Sequence, residues 1–337
     1  MRVAAERILI VLFGAIGDVV RALPLAMRVR AGYPAAHLAW AVEPAAAPLL
    51  EGHPALDERL VFDRAGGTLT FLRFLRRVRT ARFDLVLDLQ RHLKSGLVSV
   101  ATGAPIRVGF HRRNAKELNW LFNTRHIDPV PSRGWKLEQY QRFAALLDLP
   151  EMAPRFGLGL RAEEEARLDT LLTPLARPFA ALFVASTWES RQWFPEGFAA
   201  VADGLAAIGL DAVFIGGSDA HAIAAESVAL ARGTPLDLTG RTSLREAYGV
   251  LARAQVAIGP DSGPMHLAAA AGTPVVSLWG ATAPARSAPF GSEHLVLVGQ
   301  VACTPCYRRR CPIGRQCMQM ITPARVLAHV ARALEDR

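Results

Sequence analysis

Gly259-Pro260-Asp261-Ser262-Gly263-Pro264-Met265-His266-Leu267-Ala268-Ala269-Ala270-Ala271-Gly272-Thr273-Pro274 is the stretch on which the reading of this 337-residue chain turns. Gln255-Val256-Ala257-Ile258 leads into it and Val275-Val276-Ser277-Leu278 leads out, so the order reads strand, polar turn, compact Ala-rich helix, strand. The first N–H groups of such a helix lack intrahelical partners and sit where its dipole is positive. That makes an anion site, and in an α/β protein the expected anion is a phosphate. A plainer alternative is that Asp261 or Ser262 caps the helix and Gly263 eases the turn.

The same unit recurs outward from this stretch. Ile8-Leu9-Ile10-Val11-Leu12-Phe13 is a continuous apolar run, as expected of a strand buried on both faces. It ends in Gly14-Ala15-Ile16-Gly17-Asp18, followed by a helical pattern to about Ala31. The spacing differs from the G-x-G-x-x-G dinucleotide fingerprint, but two glycines permit close approach to the backbone. Asp18 then falls in the first turn of a helix, on the strand-end edge where open α/β sheets bind ligands. Strands at His37–Val42, Arg59–Phe62, Leu85–Leu89 and Ile106–Phe110 alternate with helices at 44–51, 68–80 and from Gln90 onward. A helix at 135–147 closes the first half. The pattern predicts a doubly wound parallel sheet.

A second series runs from Phe179, with strands at 179–185, 212–216 and 236–238 before the opening stretch. Helices are expected at 195–208, 219–231, 243–254 and 322–334. Residues 151–178, which mix Pro, Arg and Glu163-Glu164-Glu165, read as the boundary region. We divide the chain into domains 1–160 and 161–337.

Charge is unevenly placed. Residues 1–150 hold 22 Lys+Arg against 13 Asp+Glu, and residues 151–337 hold 17 against 17. The excess in the first half suggests an anionic partner, whether a lipid surface, a phosphorylated glycolipid or a nucleic acid. Arg91, His92 and Lys94, then His111, Arg112, Arg113 and Lys116, follow strand ends and so lie on the ligand edge. In the second half, Ser186, Thr187 and Arg191 follow the first strand, and Gly216-Gly217-Ser218 follows the next. A guanidinium suits two phosphate oxygens at once, so three turns on one edge point to a nucleotide-diphosphate site. No apolar run reaches the ~18–20 residues that span a bilayer, and the charged N-terminus does not read as a signal peptide. The expected location is cytoplasmic.

Taken together, Gly14-Ala15-Ile16-Gly17-Asp18-Val19, Asp88-Leu89-Gln90 with Lys94-Ser95, Arg107-Val108-Gly109-Phe110, Ser186-Thr187 with Arg191-Gln192-Trp193, and Asp261–Ala270 resemble glycosyltransferase family 9, the heptosyltransferases of the lipopolysaccharide inner core. The resemblance covers nearly the whole chain. It implies a GT-B architecture, two Rossmann-like domains facing across a cleft, with the acceptor on 1–160, the nucleotide-sugar donor on 161–337 and the last helix packing back on the N-terminal domain. It further implies an inverting, metal-independent transfer from ADP-L-glycero-D-manno-heptose to Kdo or heptose on lipid A, with no cofactor required for catalysis.

The roles implied follow the chemistry. An inverting transfer needs one base for the acceptor hydroxyl, and Asp18 matches the family's N-terminal Asp. The leaving diphosphate needs fixed positive groups; Arg191 stands where the family carries a basic residue, commonly Lys. Ser186, Thr187, Gly216, Ser262, Gly263, Met265 and His266 would complete donor binding. Asp261 would contact sugar or ribose hydroxyls. Gly14, Gly17, Arg91, Lys94, Arg112 and Arg113 would hold the acidic acceptor, and the Arg-rich helix 68–80 would favour an anionic inner-membrane surface, making the enzyme peripheral. Trp188 and Pro264 depart from common family residues, and Pro264 removes one N–H.

All four cysteines fall in one window, Cys303, Cys306, Cys311 and Cys317. Four thiolates so close are able to hold a structural zinc or iron centre; the alternative is reduced cysteines in a packed loop. Two rivals to the heptosyltransferase reading are another GT-B enzyme with a different nucleotide sugar and a non-catalytic basic nucleotide- or nucleic-acid-binding protein. Against the latter, the basic residues are not interleaved with aromatics and no reader motif occurs. Oligomeric state has no signal in the sequence.

Overall fold

The computed structural model describes residues 3–131 and 134–336. They form two compact units, divided between Leu158 and Gly159.

The first unit runs β1 (Arg7–Val11), α1 (Ile16–Gly32), β2 (His37–Val42), β3 (Glu58–Val61), α2 (Gly67–Thr80), β4 (Leu85–Asp88), α3 (Leu93–Ala101), β5 (Ile106–Gly109), β6 (Arg125–His126) and α4 (Lys136–Leu146). Its six parallel strands are ordered β3-β2-β1-β4-β5-β6. Alternate residues of β1 explain its unbroken apolar run. Ile8 and Ile10 pack with Val19, Leu23, Trp40 and Phe143 on one face of the sheet. Leu9 and Val11 pack with Phe62, Phe74 and Val78 on the other.

The second unit runs α5 (Ala162–Leu172), β7 (Phe179–Phe183), α6 (Pro195–Ala207), β8 (Asp211–Ile215), α7 (His221–Leu230), β9 (Leu236–Asp237), α8 (Leu244–Arg253), β10 (Val256–Pro260), α9 (Gly263–Ala270), β11 (Val275–Trp279), β12 (Val296–Val298), α10 (Gln316–Gln319) and α11 (Pro323–Glu335). Its parallel sheet is ordered β12-β11-β10-β7-β8-β9, the same plan as the first.

In both sheets the first strand lies beside the fourth: β1 pairs with β4, and β7 with β10. Chain order reverses there, and the loops leaving those two strands part to either side of a crevice. That is where open α/β sheets take ligands. In the first unit these loops are Gly14–Ala15 and Leu89–His92; in the second they are Val184–Phe194 and Asp261–Ser262.

Several elements differ from the sequence reading. Residues 44–51 give only a 3-10 turn, Ala47–Leu50. The helix expected from Gln90 starts at Leu93, because Arg91 adopts a left-handed backbone (φ 72°) and the Gln90 N–H is taken by Asp88 Oδ1. The boundary region contains α5, whose Arg161 N–H is capped by Glu164 Oε2 at 2.8 Å. The two- and three-residue strands β6 and β12 carry too few residues for a period-2 signal. The last helix, α11, belongs to the second unit and packs on α6 and β11 there.

Gly259, inside β10, is required by packing. A Cβ there would lie 2.2 Å from the Phe183 carbonyl oxygen and 2.4 Å from its ring. Overpacking against backbone has no soft side chain to yield, so Gly259→Ala should cost about 1–3 kcal/mol. A urea midpoint lowered accordingly, at unchanged m value, is the expected readout.

Candidate active site

In the second unit the switch-point crevice is built from two loops. After β10 the chain turns at Asp261 and Ser262 into α9. After β7 it carries Ser186, Thr187, Trp188 and Arg191. Ser186 Oγ donates to the Asp261 carbonyl at 2.9 Å and closes one loop on the other. Asp261 is buried, and its Oδ2 accepts from Thr282 Oγ1 at 2.6 Å and pairs with Arg191 Nη1 at 3.1 Å. The Arg191 guanidinium also lies over the Trp188 ring, 3.9 Å from its centroid. Burial pushes the Arg191 pKa down, and the charges of Asp261 and Tyr307 oppose that shift.

This geometry excludes side-chain capping for the opening stretch. The Asp261 carboxylate is turned to Arg191 and Thr282, and the N-cap residue Ser262 makes no side-chain cap. Ser262 Oγ and Arg191 Nε are both buried with no hydrogen-bond partner among the described residues. Two unsatisfied donors beside a helix N-terminus are costly unless a ligand meets them. Pro264, the second residue of α9, supplies no N–H. The Met265 side chain is fully buried. Its N–H, in the first turn, is the part available to an anion. His266 is also buried, while Thr187 is exposed on the loop. Gly216 sits in the turn after β8, where a Cβ would meet that of Ala220 at 2.5 Å; packing already demands glycine there. Thr282 gave no signal in sequence, since nothing local distinguishes it from any other loop threonine.

In the first unit, Asp18 lies in the first turn of α1, its N–H bonded to the Ala15 carbonyl at 2.9 Å. Lys136 Nζ and Arg21 Nη2 each stand 2.5 Å from its Oδ1. Burial alone would push the Asp18 carboxyl up, but the charges and hydrogen bonds of Lys136 and then Arg21 outweigh it. They hold it well below the usual carboxylate range. At Gly14 a Cβ would find only Glu43 Oε2 at 3.8 Å, so packing leaves room for a side chain there. Gly17 is buried. Arg91 is not held out as a free cation: its guanidinium stacks on Phe110 (3.8 Å to the centroid) and bonds the Gln139 amide oxygen. Lys94, Arg112 and Arg113 are exposed. Asp88 is fully buried, with Ser95, Ser99 and Asn119 donating to Oδ2, which makes it a clamp for the loop and not a ligand group.

The cysteine window lies against the loop that follows β7. Cys311 N–H donates to Glu189 Oε2 at 2.9 Å, Ser190 Oγ to the Arg308 carbonyl at 2.5 Å, and Tyr307 N–H to the Ala281 carbonyl at 2.8 Å. Cys317 is buried in the hydrophobic core and Cys303 is exposed, while Cys311 Sγ accepts the Arg315 N–H at 3.1 Å. Among the described residues no group of three or more His, Cys, Asp or Glu is placed to hold a metal ion. The zinc or iron centre considered from spacing alone thus finds no supporting group among the described residues.

Comparison with known proteins agrees with the geometry. The chain is 25% identical over 292 residues to the lipopolysaccharide core heptosyltransferase OpsX of Haemophilus influenzae, covering 86% of this chain and 83% of that one. It is 28% identical over 315 residues to lipopolysaccharide heptosyltransferase 1 of Pseudomonas aeruginosa, covering 90% and 87%. A glycosyltransferase family 9 crystal structure from Veillonella parvula superposes with a TM-score of 0.86 at 20% identity, over 100% of this chain and 99% of that one. The E. coli heptosyltransferase WaaC with ADP-2-deoxy-2-fluoro heptose gives 0.74 at 23% identity, over 97% and 99%. The sequence model of glycosyltransferase family 9 (heptosyltransferase) matches residues 71–317, and this chain, with its two parallel Rossmann-like sheets, is a member of that family and a glycosyltransferase.

Proposed function

We propose that this enzyme transfers heptose, with inversion, from ADP-L-glycero-D-manno-heptose to an acidic inner-core acceptor of lipopolysaccharide, Kdo or heptose on lipid A. The observation that carries the reading is the second unit's crevice, where Arg191 Nε and Ser262 Oγ are buried and unsatisfied at the N-terminus of α9. A diphosphate supplies the acceptor oxygens both need. The names of the relatives, and the ADP-sugar held by a structural neighbour, agree with an ADP-heptose donor. Ser186, Thr187, Gly216, Gly263 and His266 line the donor loops in this reading, and Asp261 both orients Arg191 and offers its carboxylate edge to a sugar or ribose hydroxyl.

Asp18 serves as the base. Its carboxylate takes the proton of the acceptor hydroxyl as that oxygen attacks the anomeric carbon, and ADP leaves with the electrons of the broken bond. Charge on the departing diphosphate is met by Arg191 and the α9 N–H groups, so no metal ion is needed for that task. Lys94, Arg112 and Arg113, with the backbone at Gly14 and Gly17, receive the acidic acceptor. Helix α2 presents exposed Leu69 and Leu72 beside exposed Arg73 and Arg76, a combination suited to an anionic membrane surface on the cytoplasmic side. No helix among the described residues is long and apolar enough to cross a membrane.

The test is incubation with ADP-heptose and a series of truncated lipopolysaccharides, scored by mass. A gain of one heptose is expected on one member of the series and should persist in excess EDTA. ADP-glucose and UDP-sugars run in parallel: transfer from one of these in place of ADP-heptose would move the enzyme to a different nucleotide sugar.

A further inference from the structure

The carboxylate read as the base is doubly held. Arg21 is a local partner, one turn along the same helix and nearly buried. Lys136 comes from 118 residues away and is the first residue of α4. A helix N-terminus disfavours a cation, so helix stability does not account for a lysine there. Composition sharpens the point. The chain contains three lysines, Lys94, Lys116 and Lys136, against 36 arginines, and all three lie in the first unit. Where arginine is used almost everywhere, lysine stands at the base. The two are physically different: a guanidinium forks rigidly onto its partner, whereas an ammonium is a compact charge on a flexible stem that changes partners readily. One turn along α4, Gln139 holds Arg91, so the same helix face reaches both the Gly14–Asp18 turn and the loop after β4.

We propose that Lys136 is a positioning and specificity-determining residue that leaves Asp18 for the carboxylate or phosphate of an acidic acceptor, so that the base is released only when such an acceptor is bound. The proposal rests on the reading of Asp18 as base. The charged groups acting on Asp18 are Lys136 from α4 and Arg21 from α1. Removing one of the two raises the proton affinity of the carboxylate, which makes it a better base at the moment it is needed. A neutral sugar has nothing with which to draw the lysine away, and the enzyme thereby discriminates against it without a steric filter.

With three lysines, labelling at the ε-carbon gives three NMR signals, and Lys136 is assigned by its loss in Lys136→Arg. We expect the Lys136 signal to shift on addition of the methyl glycoside of Kdo and to stay put with the corresponding methyl ester. An inorganic phosphate arm distinguishes a phosphate from a carboxylate source. If neither anion moves the Lys136 signal at concentrations that shift Lys94 or Lys116, the proposal is overturned. In kinetics, wild-type kcat should lose its acid limb at higher pH than kcat/KM does, because kcat reports the bound complex and kcat/KM the free enzyme. Lys136→Met should bring the two limbs together and raise the acceptor KM about tenfold with the donor KM unchanged. An unchanged acceptor KM and unchanged limbs would mean a merely structural lysine. Failure of the functional reading is seen separately, as absence of heptose transfer by the wild type, and the NMR arm needs no turnover.

Discussion

Asp18→Asn should lower kcat about 10²–10⁴-fold while the affinity for ADP-heptose stays within about twofold. The amide keeps the size and much of the hydrogen bonding of the carboxylate but cannot accept the proton of the acceptor hydroxyl. Donor affinity should hold because the crevice that carries Arg191, Asp261 and Ser262 belongs to the other compact unit. Calorimetric titration with ADP-heptose and single-turnover mass analysis separate the two quantities. Retention of full turnover would remove Asp18 from the role of base.

The same substitution has a stability signature with a definite sign. The folded protein holds the Asp18 carboxyl below its ordinary value of 3.8. Its contribution is therefore fully present above about pH 4, and it is lost as pH falls from there toward the folded value. Asp88 works the other way: burial raises its pKa, against the hydrogen bonds of Asn119 and Ser95, the Gln90 N–H and the hydrogen bond of Ser99. It favours the fold more as pH falls through the carboxylate range. Wild type minus Asp18→Asn isolates the first effect, since Asp88 is common to both. The difference in unfolding free energy should shrink steadily below about pH 4, measured by urea titration at fixed ionic strength.

What the sequence discloses, and what it conceals, follows from range. The sheet strands were legible because a strand buried on both faces must be apolar at every position, as Ile8–Leu12 and Val256–Ile258 are. The ligand edge was legible because Gly, Ser and Asp cluster where such strands end, at Gly14–Asp18 and Asp261–Gly263. Partners brought in by the fold were not. Lys136 meets Asp18 across 118 residues, and Thr282 meets Asp261 across 21, with no local pattern announcing either. The capping alternative at Asp261 and Ser262 falls because the Asp261 carboxylate is taken by Thr282 and Arg191 and Ser262 makes no side-chain cap. Arg91 illustrates the converse: its place after β4 suggested an open cation, but the neighbouring ring of Phe110 and the Gln139 amide occupy it. The cysteine spacing looked like a ligand set, but spacing along the chain carries no information on whether four side chains face one point.

Arg191→Met should cost about 10²–10³-fold in kcat and weaken ADP binding measurably, because it deletes the fixed charge beside the bond that breaks. The finer expectation concerns Arg191→Lys, which keeps the charge and loses the planar fork. Here the guanidinium does more than one job: Nη1 is committed to Asp261 at 3.1 Å, the plane rests on Trp188, and Nε is left buried without a partner. A lysine has one nitrogen for these tasks and no flat face for the indole. It must either pair with Asp261 or meet the phosphate, and Arg191→Lys alone should recover only part of the lost activity. Adding Asp261→Asn to Arg191→Lys frees the ammonium from its competing carboxylate and should restore diphosphate binding further, whereas Asp261→Asn in the wild-type background should weaken it by leaving Arg191 poorly oriented. Opposite signs for one substitution in two backgrounds are the mark of a shared partner, read as the coupling term of a double-mutant cycle on ADP affinity. Additive effects would show that Asp261 does not set the direction in which Arg191 points.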